Sequence, residues 1–492
     1  MSLINVSNLT FAYDGNYDNV FTNATFQIDT DWKLGFCGRN GRGKTTFLKL
    51  LMGQYEYTGR ISAGVSFDYF PYDIPDKSPD TLSVLSSITS AQLWEIEKEL
   101  SALNISDDVL LRPFESLSNG EQTKVLIVGL FLRAGGYLLI DEPTNHLDMA
   151  SREVLARYLN RKSGFILVSH DRALLDKCTD HTLSINKNGI EVVAGSFSIW
   201  WEQKHRQDAF ELAQNERLER EIGRLKASVA QTANWSECVE KTKYATQNSG
   251  LRPDRGFVGH KAAKMMKRSK STEKRRQSAI DEKSELLKNV ETTERLKLAP
   301  LEYHSERLLL LDKVTLFYGE RSVCSNVNFE LRSGDRIALS GANGSGKSSL
   351  LKLICGQAVA FTGNIYIGSR LEISYVPQDA SFLAGSLDEF ARLKNIDKTL
   401  LMAILRKLDF SREQFDKDMQ SYSAGQKKKV LIAGSLCQRA HLYVWDEPLN
   451  YIDVYSRMQI EQLILAHKPT LIFVEHDRVF CDNIATGVVQ LG

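Results

Sequence analysis

The sequence predicts an α/β protein in which two copies of one phosphate-binding domain flank a long, basic, helical linker. Three observations predict it. Gly38-Arg39-Asn40-Gly41-Arg42-Gly43-Lys44-Thr45 and Gly341-Ala342-Asn343-Gly344-Ser345-Gly346-Lys347-Ser348 are glycine-rich phosphate loops. Each is followed, in the same order, by an apolar run ending in Asp-Glu-Pro and another ending in His-Asp-Arg, a duplication at domain scale. Between the copies, residues 204–276 hold 18 Lys/Arg against 9 Asp/Glu, in a chain whose net charge is only +1. Positive charge is therefore concentrated in the linker, which points to a polyanionic partner.

Bulk properties narrow the class. A chain of 492 residues has room for two or three domains with their own cores. Its 42% hydrophobic and 25% charged residues are ordinary for a soluble globular protein. No apolar run approaches the ~20 residues of a membrane span. The N-terminal Met1-Ser2-Leu3-Ile4-Asn5-Val6 lacks a basic region followed by an apolar one, so no signal peptide is expected. Seven scattered cysteines, never spaced CxxC, fit a reducing compartment and not a disulfide or zinc framework. The expected location is cytoplasmic.

The first domain is expected over residues 1–199. Lys33 to Cys37 is an apolar strand running into the phosphate loop, and Thr45 to Met52 reads as the helix after it. Gly136 to Ile140 is a buried strand ending in Asp141-Glu142-Pro143. Gly164 to Ser169 is another, ending in His170-Asp171. Apolar strands with polar residues at their carboxyl ends suit a parallel sheet that binds its ligand there. The second domain, residues 305–492, repeats the order: Lys347 answers Lys44, Asp446-Glu447 answers Asp141-Glu142, and His476-Asp477 answers His170-Asp171.

The linker is expected over residues 200–304. Phe210, Leu218, Ile222, Leu225 and Val229 recur at helical spacing, as do Ile280, Leu287 and Val290. Two such helices predict an antiparallel coiled-coil hairpin whose arms of ~30 residues reach about 45 Å. Gly250, Pro253, Gly256 and Gly259 would break the helices at its tip. There Lys243, Tyr244, Arg252, Arg255 and Phe257 offer rings and cations of the kind that stack on exposed bases and hold phosphates. The alternatives are a charged helix pair that only spaces the domains, and a Phe257 that only closes the turn. The two-to-one excess of basic residues counts against a mere spacer.

The motifs have a shared chemistry. Backbone N–H groups around Gly38, Asn40, Gly41 and Gly43, and around Gly341, Asn343, Gly344 and Gly346, are expected to wrap the phosphates of ATP. Lys44 and Lys347 would neutralise them, with Thr46 and Ser349 beside them. The hydroxyls of Thr45 and Ser348, with Asp141 and Asp446, would hold Mg²⁺. Glu142 and Glu447 are placed to orient or deprotonate the attacking water, and His170 and His476 to contact the γ-phosphate. A strand-end His is commonly structural, but here it occurs twice, each time followed by Asp-Arg. Tyr13 and Tyr318, about 30 residues before the loops, are candidates to stack on adenine, against the reading that they are core. Ser118 and Gly120 in Leu117-Ser118-Asn119-Gly120-Glu121-Gln122, and Ser423 and Gly425 in Tyr422-Ser423-Ala424-Gly425-Gln426, stand at helix starts that favour an anion.

Together these motifs identify a resemblance over nearly the whole chain to ATP-binding cassette proteins that carry two cassettes and no membrane domain. The resemblance implies two P-loop cassette domains joined by a coiled-coil hairpin, closing head-to-tail within one chain on two ATPs with Mg²⁺. Asp141-Glu142-Pro143-Thr144-Asn145-His146-Leu147-Asp148 resembles the form found in the F subfamily, ABC-F, whose members act on ribosomes. For that subfamily the expected partner is the large-subunit rRNA, reached by the linker through the tRNA exit site. Lys44 to Leu117 and Lys347 to Tyr422 are almost equal in length, so the first cassette lacks the arm insertion of the housekeeping branch. With Met265 to Lys270 and Trp445 to Tyr451, the pattern is similar to ribosome-protection proteins giving resistance to lincosamides, pleuromutilins and streptogramin A. The alternatives are a housekeeping ABC-F factor for stalled ribosomes, a transporter's soluble ATPase, or a DNA-repair ATPase. A transporter ATPase gives no reason for a basic hairpin. DNA-repair ATPases of this kind usually carry zinc modules or far longer coils.

Two departures from the family pattern fall on one composite site. Gln378 in Tyr375-Val376-Pro377-Gln378 matches the glutamine expected to help hold Mg²⁺ and water, but the first cassette has Tyr72 there. The second signature has Tyr422 and Ala424 where Leu and Gly are usual. In a head-to-tail pair both changes belong to the site of Lys44, Asp141, Glu142 and His170, so the two sites are expected to be unequal.

Overall fold

The computed structural model describes residues 2–14, 19–133, 135–145, 147–186, 189–242, 267, 271, 274–275, 278, 296–319 and 321–491. The chain divides into two compact units, Met1–Trp200 with Thr293–Gly492, and Trp201–Thr292.

In the first half of the larger unit the strands are β1 (Leu3–Phe11), β2 (Phe21–Asp29), β3 (Lys33–Gly38), β4 (Thr58–Ser62), β5 (Ser66–Phe70), β6 (Gly136–Asp141), β7 (Phe165–Val168), β8 (His181–Asn186) and β9 (Gly189–Ala194). They form an antiparallel sheet ordered β2-β1-β4 and a larger one ordered β5-β6-β7-β3-β8-β9. Within the larger sheet only β9 runs antiparallel to its neighbour. The apolar runs read from the sequence are its central strands; Phe165–Val168 is buried along its whole length, as strands covered on both faces must be. Because β6, β7 and β3 are adjacent and parallel, the residues after their carboxyl ends gather at one edge. Those residues are Asp141-Glu142, His170 and the phosphate loop.

The second half repeats the plan with β10 (Arg307–Tyr318), β11 (Arg321–Arg332), β12 (Arg336–Ser340), β13 (Ala360–Ile367), β14 (Ile373–Val376), β15 (Leu442–Asp446), β16 (Leu471–Val474) and β17 (Gly487–Gln490). The orders are β11-β10-β13 and β14-β15-β16-β12-β17, the second wholly parallel. This is the two-cassette α/β architecture that the sequence predicts.

The helix after each phosphate loop, Lys44–Leu51 and Lys347–Ile354, packs its apolar face between the two sheets. In the first half Phe47 is its anchor, fully buried with ring centroids 5.5 Å from Phe26, 5.7 Å from Phe36 and 6.2 Å from Phe21.

The smaller unit contains most of the helix Phe197–Thr242. From Trp201 to Ala227 its less exposed positions are Trp201, Lys204, Asp208, Glu211, Asn215, Leu218, Glu221, Ile222 and Leu225; all but Glu221 are spaced alternately three and four apart. The seam is therefore a heptad repeat, but its basal half is polar. Phe210, expected in the seam, is 63% exposed, whereas the adjacent Glu211 is buried. Apolarity misplaces the register here: counting back one heptad from Leu218 reaches residue 211 and passes over residue 210. The tip residues Lys243, Tyr244, Arg252, Arg255 and Phe257, and nearly all of the second arm, lie outside the described residues.

Truncating the Phe47 ring removes a large buried side chain that three other aromatics grip. Phe47→Ala should therefore lower stability by about 3–5 kcal/mol, read as a lower urea midpoint for the transition that reports the first cassette.

Candidate active site

Each phosphate loop enters its helix through a glycine that no other residue type replaces easily. Gly43 and Gly346 sit at the helix N-caps with φ of 91° and 88°, in the left-handed region that favours glycine. A Cβ on Gly43 would also lie 2.5 Å from Val20 Cγ1. No side chain caps either helix. Its first N–H groups are thus left for an anion. Lys44 Nζ donates to the carbonyls of Gly38 at 2.8 Å and Arg39 at 3.2 Å, and Lys347 Nζ to those of Gly341 and Ala342, both at 2.8 Å. Burial pulls both ammonium groups below the ordinary lysine range, opposed most strongly by Glu142 at Lys44 and by Glu447 at Lys347.

The carboxylates stand opposite. Thr45 Oγ1 donates to Asp141 Oδ2 at 2.8 Å, and Tyr69 Oη donates to the same oxygen at 3.1 Å. Glu142 and Glu447 each have a left-handed backbone, φ 50° and 45°. That conformation costs roughly 1–3 kcal/mol at a non-glycine residue. It is held because Glu142 N donates to Val168 O at 2.9 Å and Glu447 N to Val474 O at 3.0 Å, closing the sheet edge. His170 Nε2 lies 3.3 Å from Glu142 Oε1, and His476 Nε2 lies 3.4 Å from Glu447 Oε1.

The two glutamates differ in charge environment. Burial, reinforced by Asp141, pushes the Glu142 carboxyl up to about 7. At Glu447 burial acts in the same direction, but hydrogen bonds from His476 and Gln378 outweigh it and hold the group at about 2. Burial, then Lys44 and Arg457, keep His170 well below the ordinary histidine range, so its imidazole is neutral.

The two halves of the larger unit face each other head to tail across two clefts. One, of about 510 Å³, brings Asn40, Gly41, Glu142 and His170 against Ser423 to Gln426 of the other half. Asn40 ties it together: its Nδ2 donates to Tyr451 O at 2.7 Å, and its Oδ1 lies 3.0 Å from His170 Nε2. A Cβ on Gly425 would lie 2.5 Å from Tyr451 O and 3.4 Å from Asn40 Nδ2, so the approach requires glycine. The other cleft, of about 550 Å³, brings Gly344, Gly346, Lys347, Ser348, Gln378, Glu447 and His476 against Ser118 and Gly120. Ser118 and Ser423 are the N-caps of Asn119–Phe131 and Ala424–Cys437, each in a capping box.

The remaining sequence-predicted residues divide. Tyr13 Oη lies 2.6 Å from Thr46 Oγ1, and Ser349 Oγ donates to Tyr318 Oη at 3.1 Å, so both tyrosines stand beside their phosphate loops, 40% and 55% exposed. Tyr72 turns away. Its hydroxyl donates to Leu126 O at 2.8 Å and its ring lies 4.4 Å beneath the Arg133 guanidinium. Tyr69, which the sequence reading passed over, reaches Asp141 instead.

A cross-half ion-pair system was also missed. Arg172 Nη2 lies 2.7 Å from Glu461 Oε2, with 7% and 11% of the side chains exposed. Arg478 Nη1 lies 3.1 Å from Glu153 Oε2, with 55% and 42% exposed. Both arginines end the repeated His-Asp-Arg, so the repeat was the available signal; their partners carry none.

The donor set fits a nucleoside triphosphate with Mg²⁺. Uncapped helix N-termini, a buried lysine and open space at Gly41 and Gly344, where a Cβ would meet nothing within 4 Å, suit a polyphosphate. Ser345 Oγ in the second loop is buried with no protein partner among the described residues. Thr45 with Asp141, and Ser348 with Asp446, would hold the metal.

The sequence model of the ABC transporter family matches residues 21–145 and 324–450, both phosphate loops and both Asp-Glu-Pro strands included. The chain belongs to this family. It is an ATP hydrolase. Among curated relatives it is 26% identical to the ribosome protection protein VmlR of Bacillus subtilis, over 98% of this chain and 85% of that protein. It is 25% identical to the energy-dependent translational throttle protein EttA of Haemophilus influenzae, over 94% and 87%. Among solved structures it resembles the archaeal ribosome recycling factor aABCE1, crystallised with stalk protein aP1, at TM-score 0.63 and 20% identity over 98% of this chain and 87% of that one. That last likeness is one of fold. Among the described residues no helix is long and apolar enough to cross a membrane.

The two cross-half ion pairs make a contrast that can be measured. Arg172→Ala strands a buried carboxylate and should cost about 3–5 kcal/mol. Arg478→Ala breaks an exposed pair and should cost at most about 1 kcal/mol. Removing both buried charges, Arg172→Met with Glu461→Leu, should recover most of the first loss in urea unfolding.

Proposed function

We propose that this chain is a cytoplasmic ABC-F ATPase that binds the ribosome and protects it from antibiotics. ATP with Mg²⁺ closes the two clefts, and the linker reaches through the tRNA exit site toward the peptidyl-transferase centre of the large-subunit rRNA to displace drug. The observation that carries this reading is a pair of head-to-tail clefts in a chain whose excess positive charge lies in the linker between them. Such a machine needs no membrane subunit, and a basic arm finds its partner in a polyanion. The full-length likeness to a protein named for ribosome protection supports the ribosome as that polyanion. Lincosamides, pleuromutilins and streptogramin A are the drug classes proposed.

In this reading Lys44 and Lys347 bind phosphate, Asp141, Asp446 and Gln378 serve Mg²⁺, and Glu142 and Glu447 organise the attacking water. His170 and His476 report the γ-phosphate, while Ser118, Gly120, Ser423 and Gly425 close over it. The arm's basic face supplies salt-sensitive affinity. Aromatic stacking at the tip, worth ~1–3 kcal/mol per base, is enough to bias one RNA conformation. The likeness to a translational throttle protein favours a second reading, a translation factor that acts on stalled ribosomes without drug.

Two tests follow from these roles. Glu142→Gln with Glu447→Gln should bind ATP, stay on ribosomes in co-sedimentation and inhibit growth when overproduced; release as fast as the unaltered protein would refute the assigned glutamates. Phe257→Ala should lower the minimal inhibitory concentration of these drugs while ATPase rate and ribosome binding stay close to normal. A deletion strain with unchanged drug susceptibility would favour the translation-factor reading.

A further inference from the structure

The helix Ala424–Cys437 lines one cleft and is bonded to backbone behind the other. Its start, Ser423 to Gln426, lines the cleft that holds Asn40, Glu142 and His170. One turn further on, two consecutive lysines part. Lys429 lines the same cleft and binds Leu408 O at 2.7 Å and Asp453 Oδ2 at 3.0 Å. Lys428 reaches the other way: its Nζ donates to Pro377 O at 2.9 Å and Asp446 O at 3.3 Å, with 2% of the residue exposed. Pro377 immediately precedes Gln378, and Gln378 and Glu447 both line the second cleft. One buried ammonium thus bridges the helix whose tip closes the first cleft to two backbone segments that present the working groups of the second.

The first cassette lacks this bridge. Thr123 occupies the corresponding place in Asn119–Phe131, and its hydroxyl donates to Asn119 O at 2.8 Å, within its own helix. The fold therefore does not need a lysine at this position. A buried ammonium is costly unless matched, and Glu475 is the first of the carboxylates that sustain this one. The first cassette has Ser169 at the place of Glu475. Lys428 and Glu475, whose carboxylate also accepts from Leu449 N at 3.0 Å and His476 N at 3.1 Å, stand where the other half has the neutral Thr123 and Ser169.

We propose that Lys428 is a positioning residue that couples the two ATP sites, transmitting displacement of the second signature at the first cleft to the backbone carrying Gln378 and Asp446 at the second. The bridge is single, because Thr123 of the first cassette bonds within its own helix. The inference rests on the reading of Gln378 and Asp446 as the Mg²⁺-serving groups of that cleft.

The test uses the full-length protein and steady-state ATP hydrolysis against ATP and Mg²⁺ concentration. The variant Lys428→Thr with Glu475→Gln removes both ionisable groups while leaving an amide oxygen for the N–H of Leu449, and should unfold at close to the wild-type temperature. It should nevertheless lower kcat and raise the half-maximal Mg²⁺ concentration, each by about tenfold, within the range for residues of one network, with the KM for ATP little changed. Ser423→Ala, at the first cleft, should reduce kcat in the native background and reduce it much less in the background of the double variant. Wild-type kcat and Mg²⁺ dependence in the double variant would overturn the proposal, as would multiplicative effects of Ser423→Ala in the two backgrounds. Gln378→Ala and Asp446→Asn provide the separate check. If neither alters the Mg²⁺ dependence, the assignment of the second cleft has failed and the coupling has nothing to act on.

Discussion

Buried charge that must be matched across elements governs this molecule. Binding a polyphosphate calls for cations and hydrogen-bond donors in a cleft that excludes water, and every such group is expensive until it finds a partner. Lys44 and Lys347 rest on the carbonyls of their own loops. Lys429 holds Asp453 well below the usual carboxylate range. Arg457 holds Asp477 at 3.1 Å, Arg152 holds Asp171 at 3.2 Å, and Arg172 crosses between halves to Glu461. The apolar sheets fix where strands end, but this network decides which opposing surfaces can face each other.

The same constraint makes the two clefts different. Their loops, strands and signature helices follow one order, yet Glu142 is driven toward protonation by burial and Asp141, while Glu447 is kept ionised by His476 and Gln378. The sequence pointed to inequality through Tyr72 and through Tyr422 and Ala424 of the second signature. In the structure Tyr72 is a packing residue under Arg133, and what separates the clefts is the amide of Gln378 in one and its lack of a counterpart in the other.

Legibility in the sequence followed the range of the interaction. Phosphate loops, strand-end carboxylates and capped signature helices are local: a glycine with positive φ or a serine N-cap is dictated by a few neighbouring residues, and the motif is its own evidence. The parallel strands were legible because burial on both faces demands continuous apolarity. Arg172 with Glu461 was not legible, since 289 residues separate them and nothing in either segment specifies the other. Tyr69 was passed over because its neighbour Tyr72 occupied the motif position. The linker register was misread at its base because the seam there is made of Lys204, Asp208, Glu211 and Asn215, which no hydrophobic count detects.

That seam also says how the arm can change length over evolutionary time. A heptad repeat converts insertion length into angle. Seven added residues extend a helix by about 10.5 Å and return each side chain to nearly its original azimuth. Three or four added residues rotate everything beyond them relative to the seam. Lineages descended from such an arm are therefore free to grow or shorten in whole heptads, and a tip reaching for a fixed target can be retuned only in strides of that size.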